Sequence, residues 1–367
     1  MSADPMSTEP TVQTVLGPVP VADLGITLSH EHLLNDVSSW WTPTTSRGLD
    51  PAAYADAPIT EDLLWDLRQD PFGNRANLAL DDVEVACEEV ARFAALGGAT
   101  IVETTGWGIG RDLAGLRRIA ERTGVHVVAG TGFYLEDSHP VDVEALGADG
   151  VAERILTDLR EGEDGVRPGI IGEIGVSAGF TPAEQVSLRG ALLAQVETDL
   201  PVQVHLPGWF RLAGDVLDLV EAVGADPAKV VLCHMGPSGA DLDYQRAVLE
   251  RGAWVQYDML GMEVFYADQG VQCPSDDDNA AHLARLVGLG HGDRLLLSQD
   301  VFVKSLLRRH GGPGYAHLLQ YFVPRLHRHG VDEAQVLRLL TDNPRRLFGG
   351  ADHHPDHDHD HHHEETP

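Results

Sequence analysis

The chain has 367 residues, enough for one large α/β barrel or two medium domains. Its formal charge of −31, with only 26 Lys and Arg, leaves no basic stripe for phosphate neutralisation and excludes a nucleic-acid partner. Three widely spaced cysteines, Cys87, Cys233 and Cys273, exclude a disulfide framework or a cysteine-only zinc site and fit a reducing compartment.

The opening MSADPMSTEP has neither the basic nor the apolar region of a secretory signal. Residues 1–11 are therefore expected to be disordered and the protein cytoplasmic. No apolar run approaches the roughly 20 residues that span a bilayer, so no membrane partner is expected. Short apolar runs recur instead, most of them preceded by helical spacing and a Gly or Pro break, as in a parallel sheet covered on both faces. Eight are expected as strands: Gly25–Ser29, Ala99–Thr104, His126–Gly130, Gly169–Gly172, Pro201–Val204, Val230–Cys233, Trp254–Tyr257 and Leu295–Ser298. Between them Leu, Val and Ala recur at helical spacing, for example over Val83–Leu96, Thr181–Thr198 and Ala240–Arg251. Eight β-α units predict a closed (β/α)₈ barrel, a TIM barrel.

The first connection, Leu33 to Asp81, is far longer than usual and carries Trp40 and Trp41, which implies a functional loop or short helices of its own. After the eighth run, helices are expected around Tyr315–His329 and Glu333–Leu340, with a closing NPRRLF turn and the end of the folded unit near Gly350. Residues 351–367, with seven histidines among aspartates, cannot bury a core and are expected to be disordered, without a catalytic role.

Polar, metal-capable residues sit just after the apolar runs. In a parallel barrel all strand C-termini open on one face, so such residues converge there. Strand one ends in His30-Glu31-His32, where alternation sets both histidines on one side and Glu31 on the other. Strand four leads to Glu173, five to His205, six to His234 and eight to Asp300. Four imidazoles and two carboxylates suit two divalent ions, zinc foremost, with manganese, cobalt, nickel or iron as alternatives. Two such ions would share a bridging carboxylate and a bridging hydroxide able to attack a polarised C=O or P=O. Each residue also has a structural reading: a buried histidine is commonly a hydrogen-bonded core residue, and Glu173 or Asp300 could cap a helix. Recurrence at five strand ends is what favours metals. Arg111-Asp112 reads as a helix start with Asp112 as cap, Lys304 as an exposed side chain rather than a leaving-group contact, and the glycines at 106–110 and 130–132 as tight turns.

The segments VQTVLGPVPVADLGITLSHEHLL, TTGWGIGRD, GTGFYL, GGPGYAHLL and NPRRLF resemble the phosphotriesterase family of the amidohydrolase superfamily, and the likeness runs from Val12 to Phe348. The resemblance implies one metal-dependent hydrolase barrel over 12–350. It also implies that His30, His32 and Asp300 hold the more buried metal, that His205 and His234 hold the other, and that Glu173 bridges them. Asp300 would also take a proton from the bridging hydroxide. Many members bridge with a carboxylated lysine, but the first lysine here is Lys229, well past strand four, so the chain looks like the glutamate-bridged branch. Tyr134 matches a tyrosine that orients the lactone in lactonase members, although packing explains it equally well. Met259 stands where those members carry a basic residue, and MGPSGAD lacks the acid that organophosphate-degrading members place after this histidine. Trp107, Trp209, Met259 and Phe302 are the expected pocket walls. The expected activity is hydrolysis of a small-molecule lactone or carboxylic ester, with phosphotriester cleavage as a side reaction. N-acyl amide hydrolysis is the alternative, and a metal-containing binding protein without turnover is a third reading. A homodimer is expected by analogy with family members.

Overall fold

The computed structural model describes residues 9–350. The expected disorder of residues 1–8 and of 351–367 lies outside these residues. A strand begins at Thr11, pairing over Thr11–Thr14 with Gly17–Pro20 in an antiparallel hairpin. Val15 N–H then donates to Val127 O at 2.9 Å, tying the hairpin to the start of a barrel strand.

Eight parallel strands follow: β1 (Ile26–Glu31), β2 (Gly98–Glu103), β3 (His126–Thr131), β4 (Ile170–Gly175), β5 (Val202–His205), β6 (Val230–Leu232), β7 (Trp254–Tyr257) and β8 (Leu295–Leu297). Each hydrogen-bonds to its sequence neighbour in one eight-stranded sheet. Across the seam between β8 and β1, Ser29 Oγ donates to Leu297 O at 2.9 Å and His30 N–H to Ser298 Oγ at 3.0 Å. The sheet thus curls into the expected TIM barrel.

Period-two alternation sorts the strand side chains into two environments. Ile101, Val127, Ile171, Val204, Leu232 and Val255 join a large apolar cluster with the surrounding helices. Their neighbours Val102, Val128 and Ile170 form a second cluster, and Val231, Trp254 and Leu296 a third. Fully burying such a side chain stabilises by about 1.5–3 kcal/mol, so a strand slipped by one residue would forfeit many of these terms together.

The helices are α1 (Val83–Ala94), α2 (Leu113–Thr123), α3 (Val143–Glu161), α4 (Pro182–Thr198), α5 (Ala213–Val223), α6 (Leu242–Glu250) and α7 (Asp276–Gly288). Side-chain oxygens satisfy free N–H groups at most of their starts: Asp82, Asp112, Asp142, Asp241 and Ser275 are caps, and Thr181 with Glu184 forms a capping box. The expected helix over 315–329 is split, with a π-helical turn at Leu318–Phe322 running into Val323–Arg328. A second π-turn at Arg338–Asp342 links Glu333–Leu337 to Asn343–Gly349.

The long first connection carries short helices at Pro51–Ala55 and Leu64–Gln69, and a two-residue strand pair, Asn35–Asp36 with Ala79–Leu80. Tyr54 Oη donates to Asp70 O at 2.6 Å and Asn74 Nδ2 to Tyr54 O at 2.7 Å, pinning the loop onto itself. Among the described residues no helix is long and apolar enough to cross a membrane.

Candidate metal centre

At the C-terminal end of the strands the six expected ligand side chains meet. His30 lies near the end of β1 and His32 directly follows it, Glu173 lies in β4, His205 ends β5, His234 follows β6, and Asp300 lies three residues past β8. Glu173 is central. Its Oε2 lies 3.6 Å from His30 Nε2, 3.2 Å from His205 Nδ1 and 3.4 Å from His234 Nε2, and its Oε1 lies 3.3 Å from His32 Nε2. Asp300 Oδ1 faces His30 Nε2 at 3.7 Å and His32 Nε2 at 3.4 Å. His234 (φ 58°) and Asp300 (φ 53°) both adopt the left-handed region, a conformation that costs a non-glycine residue about 1–3 kcal/mol and is concentrated at functional sites.

The electrostatics of this cluster call for positive charge. Burial opposes ionisation of Glu173, but the four imidazoles around it hold its carboxyl well below the usual range. Burial also opposes protonation of His32, yet Asp300 and Glu173 carry it up to about 10. His234 is raised in the same way, chiefly by Asp258, whereas burial and the neighbouring His234 lower His205.

Three of the histidines have one ring nitrogen held by the protein, which fixes the tautomer and turns the other nitrogen inward. His30 Nδ1–H donates to Gln203 Oε1 at 2.8 Å, and Gln203 Nε2 donates to Ser29 O at 2.6 Å. His32 Nδ1–H donates to Thr105 Oγ1 at 2.8 Å, which passes a hydrogen bond to Glu103 Oε1 at 2.6 Å. His234 Nδ1–H donates to Asp258 Oδ1 at 2.9 Å. His205 instead turns Nδ1 inward, with Tyr134 Oη 3.3 Å away. A buried nitrogen with no partner is expensive, and His30 Nε2 is such an atom. His30 belongs to three sets of ligand-type atoms lying within 4.8 Å of one another: with His32 and Asp300, with Glu173 and His234, and with Cys233 and Asp258. Imidazole and carboxylate donors around an unpartnered inward nitrogen fit a pair of divalent cations.

Three residues outside the expected set complete this shell. Asp258, directly after β7, accepts from His234 N–H at 3.0 and 3.1 Å as well as from its ring. The carboxylate of Glu31 accepts from Ser298 Oγ at 2.6 Å, Gln299 N–H at 2.8 Å and Val301 N–H at 2.9 Å, thereby holding both flanks of Asp300. Burial pushes the Glu31 carboxyl up to about 7 despite these donors. Glu103 accepts from Leu33 N–H at 3.1 Å, anchoring the chain just past His32. Replacing Asp258 with Asn keeps the shape but removes the charge that fixes the His234 tautomer. Metal affinity is expected to fall about 10–100-fold, checked by competition with a chromogenic chelator.

The metal-facing side chains open into a cavity of about 640 Å³. Glu173, Tyr134, Trp209, Met259, Phe302 and Asp300 line it, and so do Trp40, Phe72 and Tyr266. His30 does not reach it and is fully buried, in keeping with a deeper position. Trp107, expected as a pocket wall, does not line the cavity. Its ring packs edge-on against Phe133 at 4.8 Å under the Arg154 guanidinium, away from the cavity. Trp41 stacks under Arg75 at 4.0 Å, so only the first tryptophan of the pair faces the cavity. Asp112 caps α2, Arg111 pairs with Asp158 and Glu163, and Lys304 pairs with Asp81 at 3.0 Å.

Residues 10–348 match the Phosphotriesterase family. The chain is 34% identical over 341 residues to an N-acetyltaurine hydrolase of Xenopus tropicalis, covering 91% of this chain and 97% of that protein. Among solved structures it is similar to a resiniferatoxin-binding protein from Rhodobacter sphaeroides, with TM-score 0.90 and 54% identity over 92% of this chain and 94% of that one. It is also similar to the phosphotriesterase homology protein of Escherichia coli, complexed with phosphate in its active site, with TM-score 0.74 and 28% identity over 89% and 99% of the two chains. With its sequence matched across nearly all the described residues and its ligand-type side chains gathered at the mouth of the barrel, this chain belongs to the Phosphotriesterase family of metal-dependent hydrolases.

Proposed function

We propose that the chain is a binuclear metal-dependent hydrolase acting at the acyl carbon of a small carboxylic substrate, foremost a lactone or carboxylic ester. The observation that carries this reading is Glu173, central to four imidazoles whose inward nitrogens meet, among the described residues, no carboxylate within 4.0 Å other than those of Glu173 and Asp300. When bound, a pair of divalent ions supplies polarisation of the acyl oxygen and activation of water near neutral pH. Glu173 would join the two positions, with His30, His32 and Asp300 on one side and His205 and His234 on the other.

The protein's own groups divide the remaining work. Asp300 faces the cavity and can accept the proton released from water and return it to the departing alkoxide or amine. Tyr134 is held as a neutral phenol, since burial and then Glu173 and Asp300 push its hydroxyl well above the ordinary range. Its O–H is therefore a donor, placed beside His205 to orient an acyl oxygen. Asp258, Gln203 and the Thr105–Glu103 pair keep the three imidazoles aimed, so little reorganisation accompanies the reaction.

N-acyl amide hydrolysis is the second reading, favoured by the 34% identity to an N-acetyltaurine hydrolase over nearly the whole chain. Amide cleavage differs chiefly in needing firmer protonation of the leaving nitrogen, which Asp300 could provide. The description of the Rhodobacter relative as a binding protein corresponds to the reading without turnover.

The test is a panel of lactones, aryl and alkyl esters, N-acyl amides and a phosphotriester, assayed before and after chelation and metal reloading. Turnover of an ester or amide that chelation removes, reloading restores and His205→Ala abolishes supports the proposal. Ligand binding without turnover across the panel contradicts it.

A further inference from the structure

The cavity walls carry information about the part of the substrate that stays away from the metals. An arc of aromatic rings runs outward from His205. Trp40 lies 6.3 Å from the imidazole and stacks on Phe72 at 5.2 Å; Phe72 meets Tyr266 at 4.9 Å, and Tyr266 meets Trp209 at 5.6 Å. All four rings line the cavity. At about 640 Å³ the space lies within the roughly 300–1,000 Å³ that holds drug-sized ligands, well above what an acetyl group and a two-carbon arm require.

Charge points the same way. Among the described residues lining the cavity there is no Lys or Arg, while Asp137 and Asp268 both contribute to the wall. Residues 1–8 and 351–367 contain no Lys or Arg either, so neither segment can bring such a side chain to the cavity. The imidazoles that face the space are those of His32, His205 and His234, already committed beside Glu173. A sulfonate or carboxylate held at the walls, away from the metal ligands, loses its hydration and finds no cationic side chain, an unfavourable exchange. An uncharged aromatic or bulky apolar group loses little and gains contact with the ring faces.

We infer that the cavity selects uncharged substrates with a bulky apolar or aromatic group and rejects acyl compounds whose leaving amine or alcohol carries a sulfonate or carboxylate. This rests on the hydrolase reading above and separates the chain from what the name N-acetyltaurine hydrolase says of its relative.

The test uses the metal-loaded full chain and four probes: N-phenethylacetamide and phenethyl acetate, both neutral, with N-acetyltaurine and N-acetyl-β-alanine, both anionic. The neutral amide is expected to exceed N-acetyltaurine about 100-fold in kcat/KM, because the site strips the anion of water without pairing it. Met259→Arg, which sets a cation in the wall, should narrow that gap about tenfold. N-acetyltaurine turned over within tenfold of N-phenethylacetamide, or better, overturns the inference. If none of the four is turned over, the wider substrate panel decides the hydrolase reading, and binding followed by tryptophan fluorescence decides the inference alone. Saturable binding of N-phenethylacetamide, without binding of N-acetyltaurine at the same concentrations, supports it; the reverse order overturns it.

Discussion

Glu173→Gln should lower kcat/KM on any ester or amide the enzyme cleaves by about three orders of magnitude, the equivalent of several kcal/mol of lost electrostatic stabilisation. The substitution preserves volume and removes a single negative charge. That charge lies within 3.6 Å of inward nitrogens from all four histidines, so no other residue can replace it. An amide also presents a donor N–H₂ where two cations require an acceptor. Urea unfolding of metal-free protein should show a folded variant, while dialysed variant protein should retain less metal than the parent. Kinetics and metal content measured together check this expectation. Parent-like values for both would show that Glu173 is a structural acid.

Glu31→Ala should be the most destabilising single change near the site, by about 3–5 kcal/mol in urea unfolding, because each buried donor stranded without an acceptor costs about 1–3 kcal/mol. The stranded donors are the Ser298 hydroxyl and the backbone N–H groups of Gln299 and Val301. These groups bracket Asp300, whose left-handed backbone persists only because its surroundings enforce it. Metal affinity should therefore fall along with stability even though Glu31 faces away from the cavity. Glu31→Gln, which retains one acceptor oxygen, should lose roughly half as much. Loss of activity at unchanged stability and unchanged metal affinity would contradict the positioning role.

The barrel was legible because its logic is periodic. Eight short apolar runs separated by helical spacing admit few arrangements other than a closed parallel sheet, and parallel strands carry their C-terminal residues to one face. The six ligand-type side chains obey that rule, each one lying at or just past the end of a run.

What escaped the sequence reading depended on three-dimensional partners. Asp258 obeys the strand-end rule as well as any ligand, but its role depends on the His234 ring of the neighbouring strand, which the rule does not show. Alternation sets Glu31 on the opposite side from the histidines but cannot say that this side meets the 298–301 segment across the barrel seam. Trp107 also follows a strand, yet the turn at 106–110 directs its ring onto Phe133. In the long first connection, which has no periodicity, nothing distinguishes Trp40 in the cavity from Trp41 under Arg75. The aromatic arc through Phe72 and Tyr266 joins two connections roughly two hundred residues apart in sequence, beyond the reach of any local pattern.

The most direct measurement is the metal content of the chain ended at Gly350, which removes the histidine-rich tail as a competing ligand. Mass spectrometry of the desalted protein should find about two divalent ions per chain, with at least one lost in Glu173→Gln. Fewer than about one ion per chain after reloading, or equal content in the two proteins, would contradict a paired-metal centre built around this glutamate.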